Sequence, residues 1–245
     1  MKKKITIGIT DCSKYGNYEK WMAKEPGVDV IQLGYRKNNF SEIHKCTGIL
    51  LTGGEDIHPR FYDKPEYLEY CDHDYMDERR DEFEWKVVEY TQKNKIPLLG
   101  ICRGLQMTNI CFGGSLIPDI PSFGKYEHAE FHKGKDRYHP VQIDPNSGLK
   151  KITDSPGGEV NSSHHQAADK IGKDLVACAF SEDGVVEAIE RKSDEGKSFL
   201  LLVQWHPERM MDQESQLVKR IRSRFLESAS SLIPQRERNG IKRKG

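Results

Sequence analysis

Short apolar runs alternate with longer amphipathic ones along this chain. Ile5–Thr10, Val28–Leu33, Gly48–Thr52 and Pro97–Ile101 are compact and rich in β-branched residues or leucine, and read as strands. Val141–Asp144, Leu175–Phe180, Val185–Glu190 and Phe199–Trp205 read the same way. Between Tyr75 and Lys93 the period changes: Phe83, Val87 and Tyr90 recur at helical spacing, with charged residues opposite. A second helix is expected from just after Cys102 to about Phe112, stopped by Gly113-Gly114, and a third over Glu214–Ser230. Residues 11–27 read as a short polar loop. Strands alternating with helices in the first half predict right-handed βαβ units, hence an α/β fold of three αβα layers around a mainly parallel sheet. The strand-rich stretch 139–205 predicts a partly antiparallel extension. No repeat or linker divides residues 1–233, which read as one domain. The basic stretch 234–245 reads as a solvated tail.

Composition narrows the function. Lys+Arg and Asp+Glu each total 38 in 245 residues, so no chain-wide charge favours nucleic acid or an anionic membrane. Met1-Lys2-Lys3-Lys4 leads into an apolar stretch too short for a signal peptide. No segment approaches the ~20 apolar residues of a membrane span. A cytoplasmic protein with reduced thiols is therefore expected. Its six cysteines contain no C-x-x-C pair, and Cys46, Cys111 and Cys178 sit in apolar surroundings as core residues do. His128 and His132 stand at i, i+4 but have no third ligand at a convincing spacing. No metal and no other cofactor is expected.

One cysteine is placed for chemistry. In Leu98-Leu99-Gly100-Ile101-Cys102-Arg103-Gly104-Leu105-Gln106 a buried strand ends, a nucleophile appears and a helix begins. Glycine at −2 and +2 suits a strained turn whose neighbours leave no room for side chains. A given cysteine acquires both glycines by chance roughly once in 200, so a plain buried cysteine is the weaker reading. A helix N-terminus favours thiolate, and the Arg103 N–H would face a developing oxyanion. The base is sought at another strand end. His206-Pro207-Glu208 follows Phe199–Trp205; on extended backbone Glu208 would lie on the same side as His206 and orient its ring. Taken alone, H-x-E is more often a surface pair, but function in α/β sheets gathers at carboxyl strand ends. Gly53-Gly54, after a third strand, could offer a second oxyanion N–H from Gly54. His164-His165 is an alternative base without a local acid.

These motifs, in their order, resemble the class I glutamine amidotransferases. Within that group the chain is most similar to the free-standing γ-glutamyl hydrolases of the peptidase C26 type, among them those acting on γ-glutamyl-γ-aminobutyrate. The likeness is carried by Gly53-Gly54-x-Asp56-Ile57-x-Pro59-x-x-Tyr62, Asp77-x-x-Arg80-Asp81-x-x-Glu84 and Ile101-Cys102-Arg103-Gly104-Leu105-Gln106 followed by Gly113-Gly114-Ser115-Leu116. It continues through Asn161-Ser162-x-His164-His165-Gln166, Asp183-Gly184-Val185-Val186-Glu187-Ala188 and Gln204-Trp205-His206-Pro207-Glu208. The resemblance spans about residues 5–228. It implies a flavodoxin-like α/β fold, a Cys102–His206–Glu208 triad and an oxyanion hole from the Gly54 and Arg103 N–H groups. It also implies that Gln106 and the backbone of Ser162, Ser163 and His164 hold the α-amino and α-carboxylate end of a small γ-glutamyl substrate. Residues 11–27 and 123–139 depart from the usual pattern near the expected site, so the amine half of the substrate is expected to contact them.

The resulting expectation is a cysteine-dependent hydrolase of a γ-glutamyl amide bond, without nucleic-acid or membrane partners and compatible with a homodimer. One alternative is a glutaminase subunit that passes ammonia to a separate synthetase. A second is a catalytically silent binding module, which the presence of Cys102, His206 and Glu208 disfavours.

Overall fold

The computed structural model describes residues 4–72, 76–130, 132 and 134–232; the basic stretch 234–245 lies outside them. In chain order the elements are β1 (Ile5–Thr10), α1 (Tyr15–Met22), β2 (Val28–Leu33), β3 (Gly48–Leu51), α2 (Glu78–Lys93), β4 (Leu98–Ile101), α3 (Arg103–Cys111), β5 (Leu116–Ile117) and β6 (Arg137–Ile143). Then come α4 (Gly148–Thr153), β7 (Gly157–Ser162), β8 (Ala167–Ala168), β9 (Leu175–Ser181), β10 (Val186–Arg191), β11 (Leu200–Val203) and α5 (Gln216–Ser231). The main sheet has nine strands in the order β2-β1-β3-β4-β11-β10-β9-β6-β7, and β5 pairs with β8 apart from it. From β2 to β11 all neighbours are parallel. From β11 to β7 they are antiparallel. The α/β architecture with an antiparallel extension is the one the pattern predicts.

The all-apolar central strands follow from burial on both faces. Leu50, Leu99, Ile101, Leu201 and Val203 point into one core, shared with Trp21 of α1 and with Ile221 and Phe225 of α5. Their alternates Ile49, Leu51, Leu98, Leu200 and Leu202 point into the other, shared with Phe83 and Val87 of α2 and Leu105 of α3. Parity along each strand thus assigns residues to the two helical layers. Because β1, β3, β4 and β11 are adjacent and parallel, the segments leaving their carboxyl ends emerge side by side at one end of the sheet.

Several readings change, and β7 is a strand that the sequence pattern does not predict. Residues 11–27 are not a loop: α1 spans Tyr15–Met22 and buries Tyr18, Trp21 and Met22. α2 starts at Glu78, capped by the Asp77 side chain, and the predicted start at Tyr75 lies outside the described residues. β7 carries no apolar run (Gly-Gly-Glu-Val-Asn-Ser) because it is an edge strand held by backbone pairing to β6. β11 ends at Val203, two residues before the predicted end. No helix among the described residues is long and apolar enough to cross a membrane.

Candidate active site

Cys102 occupies the turn between β4 and α3 with φ 52° and ψ −108°, a left-handed conformation costly for a residue with a side chain. The flanking glycines make that turn possible. A Cβ on Gly104 would lie 2.4 Å from the Leu51 carbonyl oxygen, and one on Gly100 would lie 2.7 Å from the Gly104 oxygen. Cys102 N donates to Val203 O at 2.8 Å, tying the turn to β11. Arg103 begins α3, so its N–H is among the donors a helix start leaves without an intrahelical acceptor.

His206 follows β11 on the neighbouring strand end. The backbone between His206 and Glu208 is not extended as the sequence suggested. Pro207 opens a 3-10 turn over Pro207–Arg209, a position proline favours because it needs no N–H there. The turn still delivers Glu208 to the ring, with His206 Nδ1 2.9 Å from Glu208 Oε1. Burial disfavours the imidazolium, but the charges of Glu208 and Cys102 and a side-chain hydrogen bond with Cys102 outweigh it, raising the His206 pKa to about 9. His206 N donates to Asn161 Oδ1 at 3.0 Å, and Asn161 Nδ2 donates to Asp136 Oδ2 at 2.8 Å. The Asn161 of the sequence motif therefore fixes the backbone that carries the imidazole.

The Gly53-Gly54 turn closes a third side. A Cβ on Gly53 would sit 2.8 Å from His206 Cε1 and 3.4 Å from Cys102 Cβ, so this backbone lies directly against both. Gly54 has φ +154°, and a Cβ there would run into the Arg80 guanidinium. Arg80 donates to Gly53 O at 2.9 Å, Thr52 Oγ1 at 3.1 Å and Glu84 Oε1 at 3.0 Å, and also pairs with Glu55. Burial opposes ionisation of Glu55, but Arg80 overrides it and holds that carboxyl below its usual range. The buried Arg103 side chain pairs with Asp81 and Glu84. The Arg80-Asp81-x-x-Glu84 motif is thus a buried ion network fastening both the glycine turn and the start of α3 to α2.

These groups line a cleft of about 540 Å³ that includes Cys102, His206, Gly53 and Gly54. Several other lining residues were not singled out from sequence. Tyr18 of α1 accepts from Gly53 N at 2.9 Å, and its hydroxyl lies 3.4 Å from His206 Nδ1. Lys14 reaches Glu130 at 3.1 Å, joining residues 11–27 to residues 123–139 at the cleft. His165, considered only as an alternative base, is held instead by Asp56 (2.7 Å) and Asp119 (3.3 Å). Burial opposes its charge, yet these carboxylates raise its pKa to about 9. Arg209, next to Glu208 in the chain, pairs with Asp136. Only adjacency to the His206 motif could have pointed to it.

Of the residues expected to hold the substrate, Ser163 lines the cleft, its Oγ 3.1 Å from Glu130. The other three are engaged internally. Gln106 donates to Gln166 O at 2.9 Å, Ser162 Oγ donates to His128 O at 2.6 Å, and His164 N donates to the same His128 O at 3.2 Å. None of the three is among the residues lining the cleft. All three side chains are buried, whereas the role that the resemblance implies for Ser162 and His164 is one of their backbone.

Fold and site together define a class I glutamine amidotransferase-like α/β protein. A glutamine amidotransferase of Thermotoga maritima has the same fold, with TM-score 0.60 and 16% identity over 97% of this chain and 99% of that one. The chain belongs to the peptidase C26 family, whose model matches residues 17–208. A glutamine amidotransferase-like protein of Rickettsia prowazekii, RP404, is 32% identical over 86% of this chain and 94% of its own length. The γ-glutamyl-γ-aminobutyrate hydrolase PuuD of Escherichia coli K12 is 30% identical over 67% of this chain and 65% of its own.

Proposed function

We propose that this chain hydrolyses a γ-glutamyl amide bond, releasing glutamate and an amine. The observation that carries the reading is Cys102 in a strained strand-to-helix turn, beside a His206 whose other side is held by Glu208. In this reading the Cys102 sulfur attacks the γ-carbonyl carbon while His206 holds the thiol proton as imidazolium, charge-stabilised by Glu208. The carbonyl oxygen becomes an oxyanion facing the Arg103 and Gly54 N–H groups, a contribution of about 2.7–4 kcal/mol per donor. His206 then protonates the departing amine as the C–N bond breaks, leaving a γ-glutamyl thioester on Cys102. Water, deprotonated by His206, attacks the thioester, and glutamate leaves as the thiol is restored.

The cleft suits a zwitterionic glutamyl end, since Lys14, Arg209 and His165 share its wall with Glu55, Asp56, Asp72 and Glu130. A relative named for hydrolysis of γ-glutamyl-γ-aminobutyrate supports the γ-glutamyl class without naming the amine here. The test is a panel of γ-glutamyl amides, glutamine included, with mass detection of glutamate and amine. Cys102→Ala should lower turnover by several orders of magnitude while keeping the fold and substrate binding. Cys102 should also alkylate faster than Cys46 or Cys178. A Cys102→Ala protein with near-native turnover would overturn the mechanism.

A further inference from the structure

Beneath the cleft wall, four side chains from four separate segments converge on one point. They are His128 of the connection before β6, His139 of β6, His164 of the β7–β8 turn and Glu187 of β10, and their potential ligand atoms all lie within 4.8 Å of one another. Glu187 Oε1 is 3.5 Å from His128 Nδ1, 3.5 Å from His139 Nε2 and 3.6 Å from His164 Nε2. These three nitrogens and both Glu187 oxygens are buried without a hydrogen-bond partner among the described residues. We propose that this cluster is a structural binding site for a four-coordinate divalent transition-metal ion of the zinc class.

The hydrogen bonding on the far side of each ring carries the argument. His128 Nε2 faces the Asp183 carboxylate at 3.3 Å, His139 Nδ1 faces Pro140 O at 3.2 Å, and His164 Nδ1 faces Gln166 O at 3.0 Å. A carbonyl or carboxylate oxygen only accepts, so each outer nitrogen carries a proton, and in a neutral ring the inner nitrogen then presents a lone pair. Three lone pairs aimed at a carboxylate repel it unless a cation lies between them. Protons on all three rings would instead bury three imidazolium ions against the carboxylates of Glu187 and Asp183, leaving an uncompensated charge. Imidazoles that give their outer N–H to carbonyl or carboxylate groups are the usual surroundings of a bound metal.

The spacing agrees. Ligand bonds of about 2.0–2.2 Å give tetrahedral edges of roughly 3.3–3.6 Å, matching the three Glu187–imidazole separations. Side-chain rotation closes what remains. Three imidazoles and one carboxylate select a zinc-class ion over calcium or magnesium, which prefer all-oxygen sites. Four protein ligands leave no position for substrate, so the ion's role is to fasten segments together. It would pin the connection carrying Glu130 and the turn carrying Ser163 and His165 onto β6 and β10. The proposal is independent of which bond the cleft cleaves.

The experiment uses untagged full-length protein, stripped with a chelator, reloaded with Zn²⁺ or Co²⁺ and passed through gel filtration. The expected result is one metal per chain by elemental analysis, intense visible absorption characteristic of four-coordinate Co²⁺, and a Zn²⁺-dependent rise in melting temperature of roughly 5 °C or more. His139→Ala removes the most exposed ligand and should weaken Co²⁺ binding beyond the about 10–100-fold typical of losing an outer partner. Glu187→Gln, nearly isosteric, provides the same reading should the first variant fold poorly. His132→Ala, outside the cluster, should bind as the wild type does. Substoichiometric metal, a six-coordinate Co²⁺ spectrum, or binding unchanged in both ligand variants would overturn the proposal.

Discussion

At the residue scale, the pairing of His206 with Glu208 makes both rate and stability depend on pH. The His206 pKa rises from its ordinary 6.5 to about 9 in the fold, so folding favours the protonated ring. Its stabilisation is fully present below pH 6.5, declines as pH rises and is lost above about 9. Melting temperatures measured from pH 6 to 10 should fall across that window in the wild type and fall less in Glu208→Gln, which removes the carboxylate that sustains the charge. The same variant should slow turnover less than His206→Ala, because an orienting group is usually less costly to lose than the base. Equal losses would indicate that Glu208 touches substrate. Cys102 and His206 were legible because glycines at ±2 and a strand-end H-x-E are local patterns. Tyr18 and Arg209 were not, since each reaches the cleft through the fold. The His128, His139, His164 and Glu187 cluster has no sequence spacing at all; the sequence shows only the pair His128 and His132, and His132 stands outside it.

At the element scale, α2 serves as the foundation of the cleft. Its Arg80, Asp81 and Glu84 are buried rather than solvated, so part of the helix face that reads as polar is an internal ion network. Removing Arg80 takes one counter-charge from Glu84, which keeps Arg103, and from Glu55. Arg80→Met should destabilise by about 3–5 kcal/mol in urea titration, because Glu84 and Glu55 lose their shared partner, and should also slow turnover as the Gly53-Gly54 turn loosens. Arg80→Met with Glu84→Gln should recover part of the stability. Unchanged stability and rate in the single variant would show that the turn keeps its shape without α2. Helix α1 escaped the pattern because it is eight residues long and lacks a side-chain N-cap. Tyr18, Trp21 and Met22 have helical spacing, but only packing against the sheet makes so short a segment stable.

At the scale of the whole molecule, the architecture aligns four strand ends, and the buried ion network holds the glycine turn in place. The isolated protein should therefore hydrolyse at least one γ-glutamyl amine, and do so faster than glutamine. Replacing residues 11–14 or 123–127, which reach the cleft through Lys14 or precede Glu130, should alter substrate preference more than melting temperature. A chain inert toward every amide tried, but active as a glutaminase once a separate synthetase is added, would establish the subunit reading instead. The sequence by itself determined the α/β class, the parallel core, the Cys102 turn and the His206–Glu208 pair. Each of these is written in contacts close along the chain: two-residue alternation, helical period, glycines beside a cysteine, a proline between histidine and glutamate. Tertiary structure alone decided which polar residues face the cleft and which serve the interior. The side chains of Gln106, Ser162 and His164 are buried, while Lys14, Tyr18, His165 and Arg209 line the wall. Orientation of that kind depends on strand order and on the packing of segments far apart in the chain, as in Tyr18 against His206, 188 positions away. A one-dimensional pattern of apolar and polar positions carries no record of such distances.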